Sequence, residues 1–301
     1  MTHCLSAWTE LFEALPDGVL VVDERGSILF VNRRLCDLAC RDVTGLVGEP
    51  LSLLIPEDRR DRHASAVASF VASPTARPMG EGPETVLRTG DGRQVPVSIS
   101  LAPLPLDGTP TVAIVRDDTE RHNNEVELFR RATHDPLTGL ANRSLLEDRL
   151  AQALDRTARR DTLVTVLFLD LDHFKRVNDT AGHEAGDAVL RAAADALRRT
   201  FRPGDTVARV GGDEFVVLCE DAAAEEPARL AERLVEAVES AVGALQPAAG
   251  VTASVGITVG VGGEAPQRVV ARADSAMYVA KRAGGGRWSV ADVSVATLSD
   301  A

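Results

Sequence analysis

The chain has 301 residues, 45% hydrophobic and 26% charged, with a formal net charge of -12. That length suits two domains with a core each. The acidic balance excludes the clustered cationic face that nucleic-acid binding requires, while leaving room for a nucleotide whose charge a bound metal offsets. Cys4, Cys36, Cys40 and Cys219 lack paired zinc spacing, which fits a reduced compartment. The first thirty residues include Glu10, Glu13 and Asp17 and no signal-peptide-like apolar core. No run reaches the roughly 18 apolar residues of a membrane span. The expectation is a cytoplasmic protein without a membrane or nucleic-acid partner.

Along the first half, Val19 to Asp23 and Ile28 to Asn32 are β-type runs joined by a turn over 24–27. Asn32 to Cys40 reads as a short helix entered from Asn32, and Glu57 to Val71 as a longer one starting after Pro56. Strands follow at Glu84 to Arg88, Val95 to Leu101 and Thr111 to Asp117, separated by Gly90-Asp91-Gly92 and Asp107-Gly108. The pieces "LPDGVLVVDERGSILFVNRRL", "GLVGEPLSLLIPEDRRDRH", "RTGDGRQVPVSISLAPL" and "VRDDTER" resemble a PAS domain, an antiparallel sheet with short helices, placed at 1–117. The resemblance implies a sensor that binds a ligand or dimerises and signals through a C-terminal helix. "PEDRRDRHASAVASF" resembles the helix that supplies the axial ligand in haem-binding PAS domains, and His63 falls at that place. The alternative is an ordinary helix histidine, as in many PAS domains with a similar Arg-His helix and no haem. The segment Met79 to Pro83 has no arginine for the distal side, and the first half has no flavin-adduct cysteine motif.

Residues 118–134 read as an exposed linker helix whose apolar members are Val126, Leu128, Phe129 and Ala132. It is either a solvated linker or a short parallel coiled coil between two protomers.

The second half, 135–292, alternates helix and strand: a helix, the strand Leu163 to Asp170, and a helix over Gly186 to Arg199. Then come a hairpin near 207–219, a helix at Glu226 to Val242, strands across Val251 to Val261 and a helix Gln267 to Arg282. That order describes an antiparallel sheet with helices packed on it. A tail occupies 293–301. The hairpin carries Gly211-Gly212-Asp213-Glu214 between apolar runs. The glycines are expected to adopt positive φ and to leave backbone open to a ligand. The carboxylates at the strand start suit a divalent cation or a proton. The buried-type strand ending in Asp170-Leu171-Asp172 brings a third carboxylate to the same edge if it pairs with the hairpin.

"HDPLTGLANR", "FLDLDHFKRVNDTAGHEAGDAVL", "RPGDTVARVGGDEFVVL", "VTASVGITV" and "ADSAMYVAKRAGGGR" occur in order and resemble the GGDEF family of diguanylate cyclases. The resemblance implies a palm-like sheet flanked by helices, in an overall α+β chain. It also implies a homodimer that condenses two GTP into cyclic di-GMP and two pyrophosphates. Two Mg²⁺ (or Mn²⁺) ions would be held by Asp170, the Leu171 carbonyl and Glu214. Asp213 would act as general base or share the metal. Asn178 and Asp187 would read guanine, with His183 beside them. Phe174, Lys175 and Lys281 would serve substrate binding, the lysines near phosphate, with Gly211 and Gly212 in the turn. Arg202 and Asp205, with five residues between Asp205 and Gly211, match the RxxD site where product binds and inhibits. Gly285 stands where the family often has a phosphate-contacting arginine, so Arg282 or Arg287 would take that part. Two other classes are a non-catalytic GTP- or cyclic di-GMP-binding regulator on the same fold, and a haem or redox PAS sensor with a weakly active output.

Overall fold

A computed structural model describes residues 2–72, 75–79, 85–106, 109–160, 163–220, 227–245 and 250–291. The chain divides into two compact units, Met1–Glu127 and Leu128–Ala301. The expected tail at 293–301, the Asp107-Gly108 turn and the loop at 80–83 lie outside the described residues.

The first unit opens with a helix absent from the sequence expectation, α1 (Thr2–Ala14). It continues through β1 (Gly18–Val22), β2 (Ile28–Val31), α2 (Arg33–Ala39), α3 (Arg60–Ala72), β3 (Arg77–Met79), β4 (Val86–Arg88), β5 (Gln94–Pro103) and β6 (Thr111–Asp117). The sheet runs β2-β1-β6-β5-β3, with β4 also on β5. Asn32 explains why α2 starts where it does. Its Oδ1 accepts from Leu35 N–H at 2.9 Å, capping the helix, and from Val19 N–H at 2.8 Å. Its amide donates to the carbonyls of Phe12 and Asp17. A buried amide with every partner supplied ties α1, β1 and α2 into one corner.

Between the sheet and α3 lies a cavity of about 100 Å³, lined by Leu20, Leu54, Val67, Phe70 and Ile99, with His63 on its wall. Burial pushes the His63 imidazole below its ordinary pKa. This volume is below the roughly 150 Å³ of an engineered cavity that accepts benzene. His63 thus stands on the wall of an apolar cavity, a place that suits an axial ligand and an ordinary helix histidine alike.

Helix α4 (Thr119–Thr133) follows, with Asp117 Oδ1 accepting from Thr119 N–H at its start. It buries no residue, and Val126, Leu128 and Phe129 are 53%, 65% and 68% exposed.

The second unit comprises α5 (Arg143–Arg160), β7 (Val164–Asp172), α6 (Phe174–Ala181), α7 (His183–Thr200), β8 (Thr206–Arg209) and β9 (Glu214–Glu220). Then come α8 (Pro227–Gly243), β10 (Thr252–Gly260), α9 (Pro266–Arg282) and β11 (Trp288–Val290). The sheet order is β11-β10-β7-β9-β8. Four strands pair antiparallel, but β11 runs parallel to β10, so the sheet is mixed rather than wholly antiparallel. The strands expected across Val251 to Val261 are the single strand β10, and α6 occupies a stretch whose polar residues resemble a turn.

Central strand β7 is buried along all nine residues, as a strand covered on both faces must be. The two-residue period divides it. Leu167, Leu169 and Leu171 join the core with α6, α7 and α8, whereas Val164, Val166 and Phe168 join the core with α5 and α9. Gly256 of β10 sets the height of α9: an added Cβ would collide with the Ala273 carbonyl and the Met277 amide. The backbone of α9 thus lies directly on the sheet. That close approach carries Lys281, in the helix's last turn, to the strand ends.

Candidate active site

Register brings the carboxylates together. β7 pairs with β9 so that Asp170 stands opposite Glu214, and directly opposed residues share a face with Cβ atoms about 5 Å apart. Being even-numbered like Val166 and Phe168, Asp170 projects on the α9 side. There Lys281 Nζ meets Asp170 Oδ1 at 2.6 Å. Asp170 is 7% exposed. Burial pushes its carboxyl above the usual range against the pull of Lys281, and Asp213 and Asp172 push the same way. Burial by itself would lower Lys281, but its bond to Asp170 and the charges of Asp170, Asp213 and Asp172 hold it above its ordinary value.

Asp213 is half-buried beside Glu214, and its carbonyl accepts from Leu171 N–H at 3.2 Å, joining the turn to the end of β7. Neither Gly211 nor Gly212 has positive φ, which corrects the expected reason for these glycines. At Gly211 an added Cβ would meet Glu214 Oε2, the flexible end of a side chain that folds back over the turn. At Gly212 nothing lies within 4 Å of an added Cβ, so this backbone is open to approach.

Two arginines and an aspartate, not singled out from the sequence, hold the turn in place. Arg209 donates to both oxygens of Asp135 at 3.1 Å and to the Gly212 carbonyl at 2.8 and 3.1 Å. Arg143 donates to the Val210 carbonyl at 3.1 Å. Burial opposes the ionised form of Asp135, but bonds from Thr138 and Arg209 outweigh it and hold the carboxyl below its ordinary value. Asp135 and Arg143 lie in "HDPLTGLANR" and Arg209 in "RVGGDEF". Their place inside the motif stretches was the available signal.

The remaining residues lie where α6 and α7 meet. Asn178 and Asp187 are half-buried and His183 and Lys175 exposed. Asp187 forms an ion pair with Arg191 at 3.6 Å. A Cβ on Gly186 would collide with Asn178 Oδ1, so glycine there lets the Asn178 amide lie against α7. Phe174, at the start of α6, has its ring turned into the core. It is 9% exposed and packed in the core, with its ring 3.2 Å from where a Gly186 Cβ would sit. Its place is beneath Asn178, as support. At Gly285, φ is +72° and an added Cβ would lie 2.7 Å from Asp172 Oδ2. Arg287, one of its suggested substitutes, donates to the Gly285 carbonyl. Arg202 pairs with Asp205 at 3.2 Å and also donates to the Glu220 carbonyl.

Asp170, Glu214 and Asp213 offer only oxygen donors, and Mg²⁺ takes one or two carboxylates plus waters and phosphate oxygens. The donor set therefore fits that ion. Among the described residues no group of three or more His, Cys, Asp or Glu side chains is already gathered closely enough to hold a metal ion. Among the described residues no helix is long and apolar enough to cross a membrane.

The family described as "Diguanylate cyclase, GGDEF domain" matches residues 132–287, and "PAS fold" matches 12–123. Diguanylate cyclase DgcP of Pseudomonas aeruginosa is 43% identical over 171 residues, covering 56% of this chain and 26% of that protein. An uncharacterized signaling protein of Caulobacter vibrioides is 35% identical over 296 residues, covering 92% of this chain and 34% of that one. The chain thus spans about a quarter to a third of the length of these relatives. Among solved structures, the coiled coil and GGDEF domain of DgcB from Caulobacter crescentus, in complex with c-di-GMP, aligns with a TM-score of 0.53 at 35% identity. It covers 58% of this chain and 94% of that one. With its matching segment spanning β7 to β10, the turn and α9, the chain belongs to the GGDEF diguanylate cyclase domain family and carries an N-terminal PAS fold.

Proposed function

We propose that the chain is a diguanylate cyclase that condenses two GTP into cyclic di-GMP and two pyrophosphates as a homodimer. The observation that carries the reading is the opposed pair Asp170 and Glu214, with Asp213 beside it and Lys281 on Asp170. In each of two steps the 3′-oxygen of one GTP bonds to the α-phosphorus of the other. The bond to pyrophosphate breaks with its electron pair, and the 3′ proton passes to a base. Asp213 stands as that base or as a further cation ligand. Mg²⁺ held by Asp170, Glu214 and the Leu171 carbonyl would lower the hydroxyl pKa and neutralise charge at the α-phosphate. Asn178 and Asp187 address guanine: a carboxylate accepts from its N1 and N2 hydrogens, which adenine does not present in that pattern. Lys281 and exposed Lys175 serve as point charges for phosphates.

Each domain holds one GTP, so two must face each other. The exposed Val126, Leu128 and Phe129 of α4 support a parallel coiled coil that brings this about. The PAS unit controls that pairing, and Arg202 with Asp205 binds product to slow synthesis. With GTP as substrate, the reading places the protein in the cytoplasm.

The test is incubation of the full chain with GTP and Mg²⁺, followed by separation and identification of nucleotides. Cyclic di-GMP that accumulates and then slows supports the cyclase and its brake, with the brake lost in Arg202→Ala. Nucleotide bound but returned as GTP would favour a non-catalytic regulator instead.

A further inference from the structure

Asp172 lies two residues beyond Asp170 on the same face of β7 and is 4% exposed. A buried carboxylate is costly unless its oxygens are well supplied with donors. Here its donors are two hydroxyls and a backbone amide, all neutral. Thr252 Oγ1 donates to Oδ2 at 2.8 Å, Ser254 Oγ donates to Oδ1 at 2.8 Å, and Gly286 N–H donates to Oδ2 at 2.9 Å. The hydroxyls come from neighbouring β10, but the amide comes from the turn after α9. In that turn Gly284, Gly285 and Gly286 have φ of +116°, +72° and +59°. Glycine loses the most conformational freedom on ordering, so three in succession need an anchor. The amides of Ala283, Gly284 and Gly285 are used by carbonyls of Val279 to Lys281 at the end of α9. The Gly286 amide is the one that reaches out of the turn, and Asp172 receives it.

One strand end therefore holds the end of α9 twice. Asp170 grips the Lys281 ammonium, and Asp172 grips the turn five residues further on. We propose that Asp172 is a positioning residue that anchors the three-glycine turn and thereby sets where Lys281 stands over Asp170 and meets a nucleotide phosphate. The part concerning phosphate rests on the nucleotide reading above; the anchoring of the turn does not.

The experiment compares the full-length wild type with Asp172→Asn, Lys281→Met and the double variant. It measures affinity for a non-hydrolysable GTP analogue with Mg²⁺, and amide hydrogen exchange across 283–290 and across β9. Asp172→Asn weakens the analogue and speeds exchange at Gly286, each about tenfold, as expected for one lost charge-assisted hydrogen bond, while β9 is unchanged. In the Lys281→Met background the same substitution adds no further loss of affinity. Ser254→Ala, a milder change to the same carboxylate's surroundings, moves both readouts in the same direction by less, and stands in if Asp172→Asn fails to fold. Equal losses of affinity with and without Lys281, or unchanged exchange at Gly286, overturn the proposal. Wild type that binds the analogue yet makes no cyclic di-GMP refutes the cyclase reading and leaves the positioning role supported or refuted by these same measurements. Wild type that binds no nucleotide overturns the role at Lys281, with exchange at Gly286 still deciding the anchor.

Discussion

The two sheets of this chain put their polar chemistry in opposite places. In the first unit the sheet and α3 form a largely apolar cavity with the His63 imidazole on its wall. In the second unit both faces of β7 are filled, and the charged groups are displaced to the strand ends, where Asp170, Glu214, Asp213 and Lys281 meet. A cavity that takes up volume suits sensing, because an occupant shifts packing. A filled core suits catalysis, because it holds groups at its rim without slack.

The sharpest way to break this comparison is at the rim. Asp213→Ala is expected to lower cyclic di-GMP formation by about 10²–10⁴-fold, the range for losing a general base, with the melting temperature nearly unchanged. Retained activity would remove Asp213 from the site. Next is the packing contrast. Ala273→Leu, in the filled core beneath α9, is expected to cost about 1–3 kcal/mol by overpacking, read by denaturant unfolding. Ala113→Leu, on the wall of the first unit's cavity, has room for its added carbons and is expected to cost under about 1 kcal/mol. Equal costs would mean that the cavity does not accommodate volume.

The smallest effect belongs to the Glu264–Arg272 pair at 2.8 Å. Bonds from Arg272, chiefly, hold Glu264 below its ordinary value against the opposing effect of burial. A lowered carboxyl contributes stability that is complete above its unfolded pKa and lost as pH falls through the folded one. Glu264→Gln should therefore cost up to about 1 kcal/mol at neutral pH and little in acid. A cost that grows on acidification would contradict the pairing.

Much of the fold was legible because the local signals agreed. The apolar run 163–169 between polar ends could only be a covered strand, and Asn32 before an apolar helix face is cap chemistry. The three-residue strands β3 and β11 were not legible, since so short a strand has too little period to read and exists by pairing with β5 and β10. Helix α6 was missed because Asn178, Asp179 and Thr180 favour turns on their own, while Phe174 and Val177 are buried in the core. Conformational freedom is the usual reading of a turn glycine, whereas neither Gly211 nor Gly212 adopts positive φ here.

From the sequence alone came the two domains, the period of each buried strand and the order of the motif residues, because these depend on chemistry within a few positions along the chain. What joins residues far apart was decided only by tertiary structure. Lys281 meets Asp170 across 111 residues, Arg209 meets Asp135 across 74, and Gly286 meets Asp172 across 114. Those distances depend on strand register and on how closely α9 settles over Gly256. Both are set by packing of the whole second unit, and no local stretch of chain encodes them.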